Sequence, residues 1–146
     1  MKTVAQLLNL KAQHNHQVHT IGPDQMVVEA LHLMADKNVG ALPVVKDGAV
    51  VGIVSERDYA RKVVLLGRSS VGTPVSDIMS HKVVTVDPHK SIDFCMNTMT
   101  DGHLRHLPVV ENGELIGLLS IGDLVKEAIA EQADLIRQLE QYIRGE

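Results

Sequence analysis

Two stretches of the chain carry side chains suited to gripping a polar ligand: Ser55-Glu56-Arg57-Asp58 and Ser120-Ile121-Gly122-Asp123. In each, a hydroxyl precedes a carboxylate by three residues and follows an apolar run, the pattern of a strand running into a helix. A helix N-terminus offers unpaired N–H groups and the positive end of the helix dipole, a setting that favours phosphate or a held carboxylate. A carboxylate one turn into the helix can accept two hydrogen bonds from a vicinal diol such as ribose, so the chemistry suits a nucleotide. The same spacing also makes a capping box, in which Ser55 caps the helix and Asp58 returns a bond. Occurring twice, each time a short hairpin after Leu-Pro-Val-Val, the motif points to a site rather than to a cap alone.

Other residues offer weaker chemistry. Among eight histidines, His14, His16 and His19 lie close together, as do His103 and His106. Two or three imidazoles can bind zinc, but a stable site wants a fourth ligand and fixed geometry, so surface histidines are the expectation and a His-based metal protein a lesser alternative. No nucleophile elbow, P-loop, paired-carboxylate cleft or Cys-His arrangement is present, which argues for binding without catalysis and without a catalytic cofactor.

The elements that position these residues follow from an internal duplication. Residues 18–64 repeat as 83–129 at a constant offset (83 − 18 = 65) without a gap. Thr20 matches Thr85, Pro23 matches Pro88, Leu42-Pro43-Val44-Val45 matches Leu107-Pro108-Val109-Val110, and Gly48, Gly52, Ser55 and Asp58 match Gly113, Gly117, Ser120 and Asp123. Gly and Pro kept in step mark backbone positions that other residues fill poorly. Each copy opens with a β-branched run (18–21, 83–86) that reads as a strand. Apolar residues at helical spacing follow, with Ser91 a plausible N-cap in the second copy. Two apolar runs around Asp47-Gly48 or Asn112-Gly113 then predict a β-hairpin, and a helix starts at Ser55 or Ser120.

The order is strand, helix, strand, strand, helix, twice. This α+β reading divides the chain into an N-terminal helical segment (1–17), repeat 1 (18–64), a linker with one short helical turn (65–82), repeat 2 (83–129) and a helical extension (130–146). Near-continuous apolar runs predict a sheet covered on both faces, with the duplicate as the natural cover and one core shared between the units. Val125, Ile129, Gln132, Ile136, Leu139 and Ile143 recur at spacings of four and three. This is the seam of a helix that meets a partner helix in a homodimer or folds back on its own domain.

Composition narrows the classes. At 146 residues and 45% hydrophobic content a core of ordinary size is available. A net charge of −4 with both signs interspersed, and only 2% aromatic residues, argue against a nucleic-acid surface. The first residues mix Gln6, Asn9 and Lys11 into their apolar content, so neither a signal-peptide core nor a membrane span is expected. The lone Cys95 fits a reducing compartment and reads as a small buried hydrophobe, so a cytoplasmic location is expected.

Leu-Pro-Val-Val, the glycine after the hairpin turn, and Gly-Ile-Val-Ser-x-x-Asp or Gly-Leu-Leu-Ser-x-x-Asp together resemble a tandem of cystathionine beta-synthase (CBS) domains over residues 18–129. The resemblance implies two βαββα repeats packed about a pseudo-twofold axis, with two related clefts that bind adenine nucleotides and signal to a partner protein. Position by position, Asp58 and Asp123 match the family's ribose-binding carboxylates, Ser55 and Ser120 its hydroxyls near ribose or phosphate, and Thr20 and Thr85 a first-strand ligand contact. Backbone at Ala41, Leu42 and Pro43, and at His106, Leu107 and Pro108, would edge the adenine.

The copies differ in charge. Arg57 stands where repeat 2 has Gly122, and Arg105-His106 stands where repeat 1 has Gly40-Ala41. The family's geometry implies that Arg57, Arg105 and His106 converge near Asp58 and make that cleft the stronger phosphate site. The alternative is that the two arginines are solvated charges. The Asp123 cleft, with no basic residue in its own motif, is expected to prefer an uncharged adenosyl group or to stay empty. AMP, ADP, ATP, NAD and S-adenosylmethionine share the adenosine that these residues would grip. The competing reading is a structural protein that dimerises through its C-terminal helix without sensing nucleotides.

Overall fold

The computed structural model describes residues 2–13 and 18–145. In chain order the elements are α1 (Val4–Gln13), α2 (Val27–Lys37), β1 (Ala41–Lys46), β2 (Ala49–Ser55), α3 (Glu56–Tyr59) running into a π-helical turn (Ala60–Val64), a 3-10 turn (Val75–Asp77), α4 (Ile92–Gly102), β3 (His106–Glu111), β4 (Glu114–Ser120) and α5 (Ile121–Arg144). The hairpins β1–β2 and β3–β4 are antiparallel and carry a register shift at matched positions, Val44/Val45 and Val109/Val110. Their turns have two successive positive φ values, 51° and 81° at Asp47-Gly48 and 53° and 82° at Asn112-Gly113. That is the twist-matched two-residue loop which Asp-Gly and Asn-Gly favour.

The expected opening strands shrink to one residue each. Ile21 bridges Val44 and Val86 bridges Val109, both in parallel. Ile21 N–H donates to Pro43 O at 3.1 Å and Val45 N–H donates to Ile21 O at 2.9 Å. The next rung on one side would need the N–H of Pro23 and on the other that of Pro43, and neither exists. Pro88 and Pro108 stop the second copy in the same way.

The core is two clusters rather than one, and each is completed from outside its repeat. Repeat 1 buries Ile21, Val27, Met34, Leu42 and Val54 together with Val75, Ile78 and Met79 of the linker. Repeat 2 buries Val86, Ile92, Leu107, Leu119 and Leu124 together with Val4 and Leu7 of α1. The segments ahead of the two repeats have therefore exchanged places. Val75 N–H donates to Gln25 O and Ser76 N–H to Pro23 O; Val4 N–H donates to Lys90 O and Ala5 N–H to Pro88 O. The acceptors match at the repeat offset (25 + 65 = 90; 23 + 65 = 88), while the donors match at 75 − 4 = 71.

The exchanged segments lie directly on the sheets. A Cβ at Gly52 would sit 2.5 Å from Met79 Sδ, and one at Gly117 would sit 2.5 Å from Leu8 Cδ2. Cover therefore comes from these segments as well as from the duplicate, which β2 and β4 meet across the pseudo-twofold. Lys2 Nζ, 2.7 Å from Glu127 Oε1, ties the start of α1 to α5 and pairs a carboxylate that is otherwise buried. Beyond Glu131 the residues of α5 are all exposed, so its apolar seam does not fold back on the domain.

Candidate ligand-binding clefts

Both Ser-x-x-Asp motifs form the capping box, and the box positions the carboxylate. Ser55 Oγ accepts from Asp58 N–H at 3.1 Å, and Asp58 Oδ2 accepts from Ser55 N–H at 3.0 Å and from Ser55 Oγ at 2.9 Å. In repeat 2, Ser120 Oγ accepts from Asp123 N–H at 3.1 Å, and Asp123 Oδ2 accepts from Ser120 N–H at 2.8 Å. Cap and site are not alternatives: the cap holds one carboxylate oxygen and leaves the other for a partner.

Each carboxylate opens on a cavity built from both repeats. Ser55, Arg57, Asp58 and Arg61 face His103, Leu104, Arg105 and His106 across about 490 Å3, with Gly40, Ile53, Ser80 and Lys82 completing the wall. Ser120 and Asp123 face residues 38–42 across about 630 Å3, with Leu8, Lys11 and Ala12 of α1 as a third wall. The facing stretches match at the repeat offset, Asn38-Val39-Gly40-Ala41 against His103-Leu104-Arg105-His106. Gly40 and His106 line both cavities.

The anticipated residues fall into three groups. Arg57, Arg105, His106, Ser55 and Asp58 come together at one cavity. Ala41, Leu42, His106, Ser120 and Asp123 come together at the other. Thr20 and Thr85 are exposed, Pro43, Leu107 and Pro108 are buried, and Gly122 is exposed; none of the six lines either cavity. Not anticipated as cleft residues were Lys11, Arg61, Lys62, Lys82 and His103, the last weighed only as a metal ligand. Lys62, four residues after Asp58 on the same helix, was legible as an i,i+4 partner, and its Nζ lies 3.2 Å from Asp58 Oδ1. Lys11 was not, because its place depends on where α1 docks.

The electrostatics separate the two cavities. Arg57 is held below its ordinary value first by Arg105 and then by Arg61, a sign of guanidinium groups gathered without enough carboxylate between them. The Asp123 carboxyl is pushed up by burial, but hydrogen bonds from Lys11 and Ser120 outweigh this and hold it below the usual carboxylate value. Burial lowers His106, and Lys11 and Arg105 lower it further, against the pull of Asp123 and Asp58. Burial raises the Cys95 thiol to about 11, with Asp87 adding to the rise, so it packs as an apolar side chain. Among the described residues no group of three or more His, Cys, Asp and Glu could hold a metal ion; His14 and His16 lie outside those residues. No described helix is long and apolar enough to cross a membrane.

Comparison with known proteins agrees with the duplicated architecture. The family model for the CBS domain matches twice, at residues 11–65 and 75–130. A mitochondrial CBS domain-containing protein of Arabidopsis thaliana, CBSX3, is 43% identical over 127 residues, 84% of this chain and 62% of its own length. The CBS domain-containing protein YhcV of Bacillus subtilis is 36% identical over 117 residues, 80% of this chain and 83% of its own. The structure of a protein with CBS domains from Burkholderia ambifaria, 52% identical, superposes with a TM-score of 0.82 over 90% of this chain and 96% of its own. With two matched repeats, two exchanged covering segments and two capped carboxylates, the chain belongs to the CBS domain family as a tandem pair.

Proposed function

We propose that the chain is a non-catalytic sensor that binds an adenine nucleotide (AMP, ADP, ATP or NAD) between its repeats and signals its occupancy to a partner protein. The reading is carried by the convergence of Arg57, Arg105 and His106, drawn from both repeats, on the cavity of a serine-held Asp58. A diol fits the carboxylate and a phosphate fits the guanidinium pair. Calorimetry tests it: Asp58→Ala should cost ~1.5–3 kcal/mol of AMP affinity, the range for hydrogen bonds to a charged group. Unchanged affinity overturns the assignment, and turnover of ATP or NAD by the purified protein overturns the non-catalytic reading.

The exposed seam of α5 supports a homodimer as the signalling unit. Ile129, Ile136, Leu139 and Ile143 are all more than half exposed, and a second copy of the same helix offers the complementary face. Sedimentation should find a dimer for the natural chain and a monomer for Ile129→Glu with Ile136→Glu. We place the protein in the cytoplasm, where Cys95 stays a thiol; fractionation of cells tests this.

A further inference from the structure

The positive charge of the larger cleft comes from α1, ahead of the duplicated residues 18–64. Among the described residues lining the Asp123 cavity, Lys11 of α1 is the one Lys or Arg. Its Nζ donates to Leu118 O at 2.7 Å and to Asp123 Oδ2 at 2.8 Å. The matched carbonyl in repeat 1 is Ile53 O (53 + 65 = 118), and it accepts from the backbone N–H of Ser80 at 2.8 Å. Over repeat 2 the exchanged segment is helical, its N–H groups beyond the first turn are committed along its own axis, and a lysine side chain reaches the carbonyl instead. The motif of repeat 2 has no basic residue of its own, as the sequence shows, and α1 supplies one to the cleft it opens on.

This placement makes Lys11 a competitor for part of what a ribose needs. Asp123 Oδ2 already accepts from Ser120 N–H and from Lys11, while Oδ1 has no protein donor among the described residues. A diol that bonds both carboxylate oxygens must share Oδ2 with the ammonium or displace it. A ligand that also carries a phosphate gives the ammonium a second anionic partner, so one charge-assisted bond replaces another. An uncharged nucleoside offers no such exchange and leaves the cation short of a partner.

We propose that Lys11 is the specificity-determining residue of the Asp123 cleft, selecting phosphate-bearing adenosyl ligands over uncharged ones. This rests on the nucleotide reading of the clefts. Without Lys11 the carboxylate is free for the diol but repels a phosphate, so adenosine should bind better and AMP worse.

The test is calorimetry with AMP and adenosine in an Asp58→Ala background, where the first cleft is weakened. Lys11→Met should lower the AMP-to-adenosine affinity ratio by about tenfold or more, the scale of one charge-assisted hydrogen bond, and Lys11→Arg should leave it within about threefold. A ratio unmoved by Lys11→Met overturns the proposal, as does an equal loss of both ligands. Thermal midpoints check that α1 stays docked, and Lys11→Gln replaces the Met variant should that one fail to fold. If the Asp58→Ala proteins bind neither ligand while the natural chain binds AMP, the inference on Lys11 falls and the nucleotide reading stands. If the natural chain binds neither, the nucleotide reading itself falls.

Discussion

The Asp58 and Asp123 clefts have nearly the same backbone and opposite charge economies. Asn38 and His103, matched at the repeat offset, both end their helices in the left-handed conformation, at φ 54° and 53°. Two residues on, Glu56 N–H donates to Gly40 O at 3.0 Å and Ile121 N–H to Arg105 O at 2.9 Å, the same bond in both copies. Four cationic side chains (Arg57, Arg61, Lys82, Arg105) line the first cleft around one carboxylate, and Lys62 pairs that carboxylate as well. In the second, Asp123 and Lys11 neutralise one another. Caps, prolines and glycines fix a backbone and tolerate little change, whereas side chains that project into a cleft carry no packing role and can diverge.

The most direct way to break the contrast is to give repeat 2 the stretch that repeat 1 has. Arg105→Gly with His106→Ala removes two of the groups facing Asp58. AMP affinity at that cleft should fall by roughly 100-fold, about two charge-assisted hydrogen bonds, while adenosine should lose only a few-fold. Equal losses for the two ligands would mean that these side chains support packing and do not meet phosphate.

The exchanged segments allow the two halves to be compared in stability. An added Cβ at Gly52 meets Met79 Sδ at 2.5 Å and also Ser80 O at 2.9 Å, a backbone atom held in its own hydrogen bond. At Gly117 the nearest atoms all belong to the Leu8 side chain, which can turn away. Gly52→Ala should therefore cost about 1–3 kcal/mol and Gly117→Ala about 1 kcal/mol or less. Thermal midpoints should fall by roughly 2–4 °C per kcal/mol in a chain of this size. A larger loss at Gly117 would show that α1 holds its place more rigidly than the linker does.

What was legible in the sequence is what local chemistry decides. Asp47-Gly48 and Asn112-Gly113 name their turn by φ, Ser55 and Ser120 name their caps, and the offset of 65 places both carboxylates. The opening strands were misread because their length is set by Pro43 and Pro108 on the partner strand, not by the β-branched run itself. The core was misread as shared because nothing local tells that residues 4–8 cover the second repeat and residues 75–79 the first. Lys11 shows the same limit at the site. Its chemistry is ordinary until tertiary docking carries it to Asp123.

The reciprocal substitution sharpens the contrast with a smaller effect. Gly40 occupies the position of Arg105, and a Cβ there would meet only Glu56 Oε1, the end of a flexible side chain, at 3.3 Å. Gly40→Arg should fold and add a cation to the neutral cleft. AMP affinity at Asp123 should rise by about threefold to tenfold, less than the reverse change removes, because Glu56 stands close enough to compensate part of the new charge. A rise in adenosine affinity to the same degree would assign the gain to stacking of the guanidinium rather than to charge.

His106, which lines both cavities, gives the finest discrimination. Burial, Lys11 and Arg105 hold it below its ordinary value against Asp123 and Asp58, so the free protein carries it neutral at pH 7. A phosphate near Arg105 adds negative charge and raises it, and a proton is taken up wherever the pH lies between the free and bound values. AMP affinity should therefore rise a few-fold on going from pH 8 towards pH 6, where protonation of the phosphate itself begins to oppose it. Adenosine should show no such slope, and calorimetry in buffers of different ionisation enthalpy should record fractional proton uptake for AMP only. In the absence of ligand the sign reverses. With a depressed native value, the unfolded chain binds the proton first, so stability declines as pH falls below the ordinary histidine value and levels off below the native one. His106→Asn should remove both slopes; proton uptake that survives in that variant would move the titrating group elsewhere in the cleft.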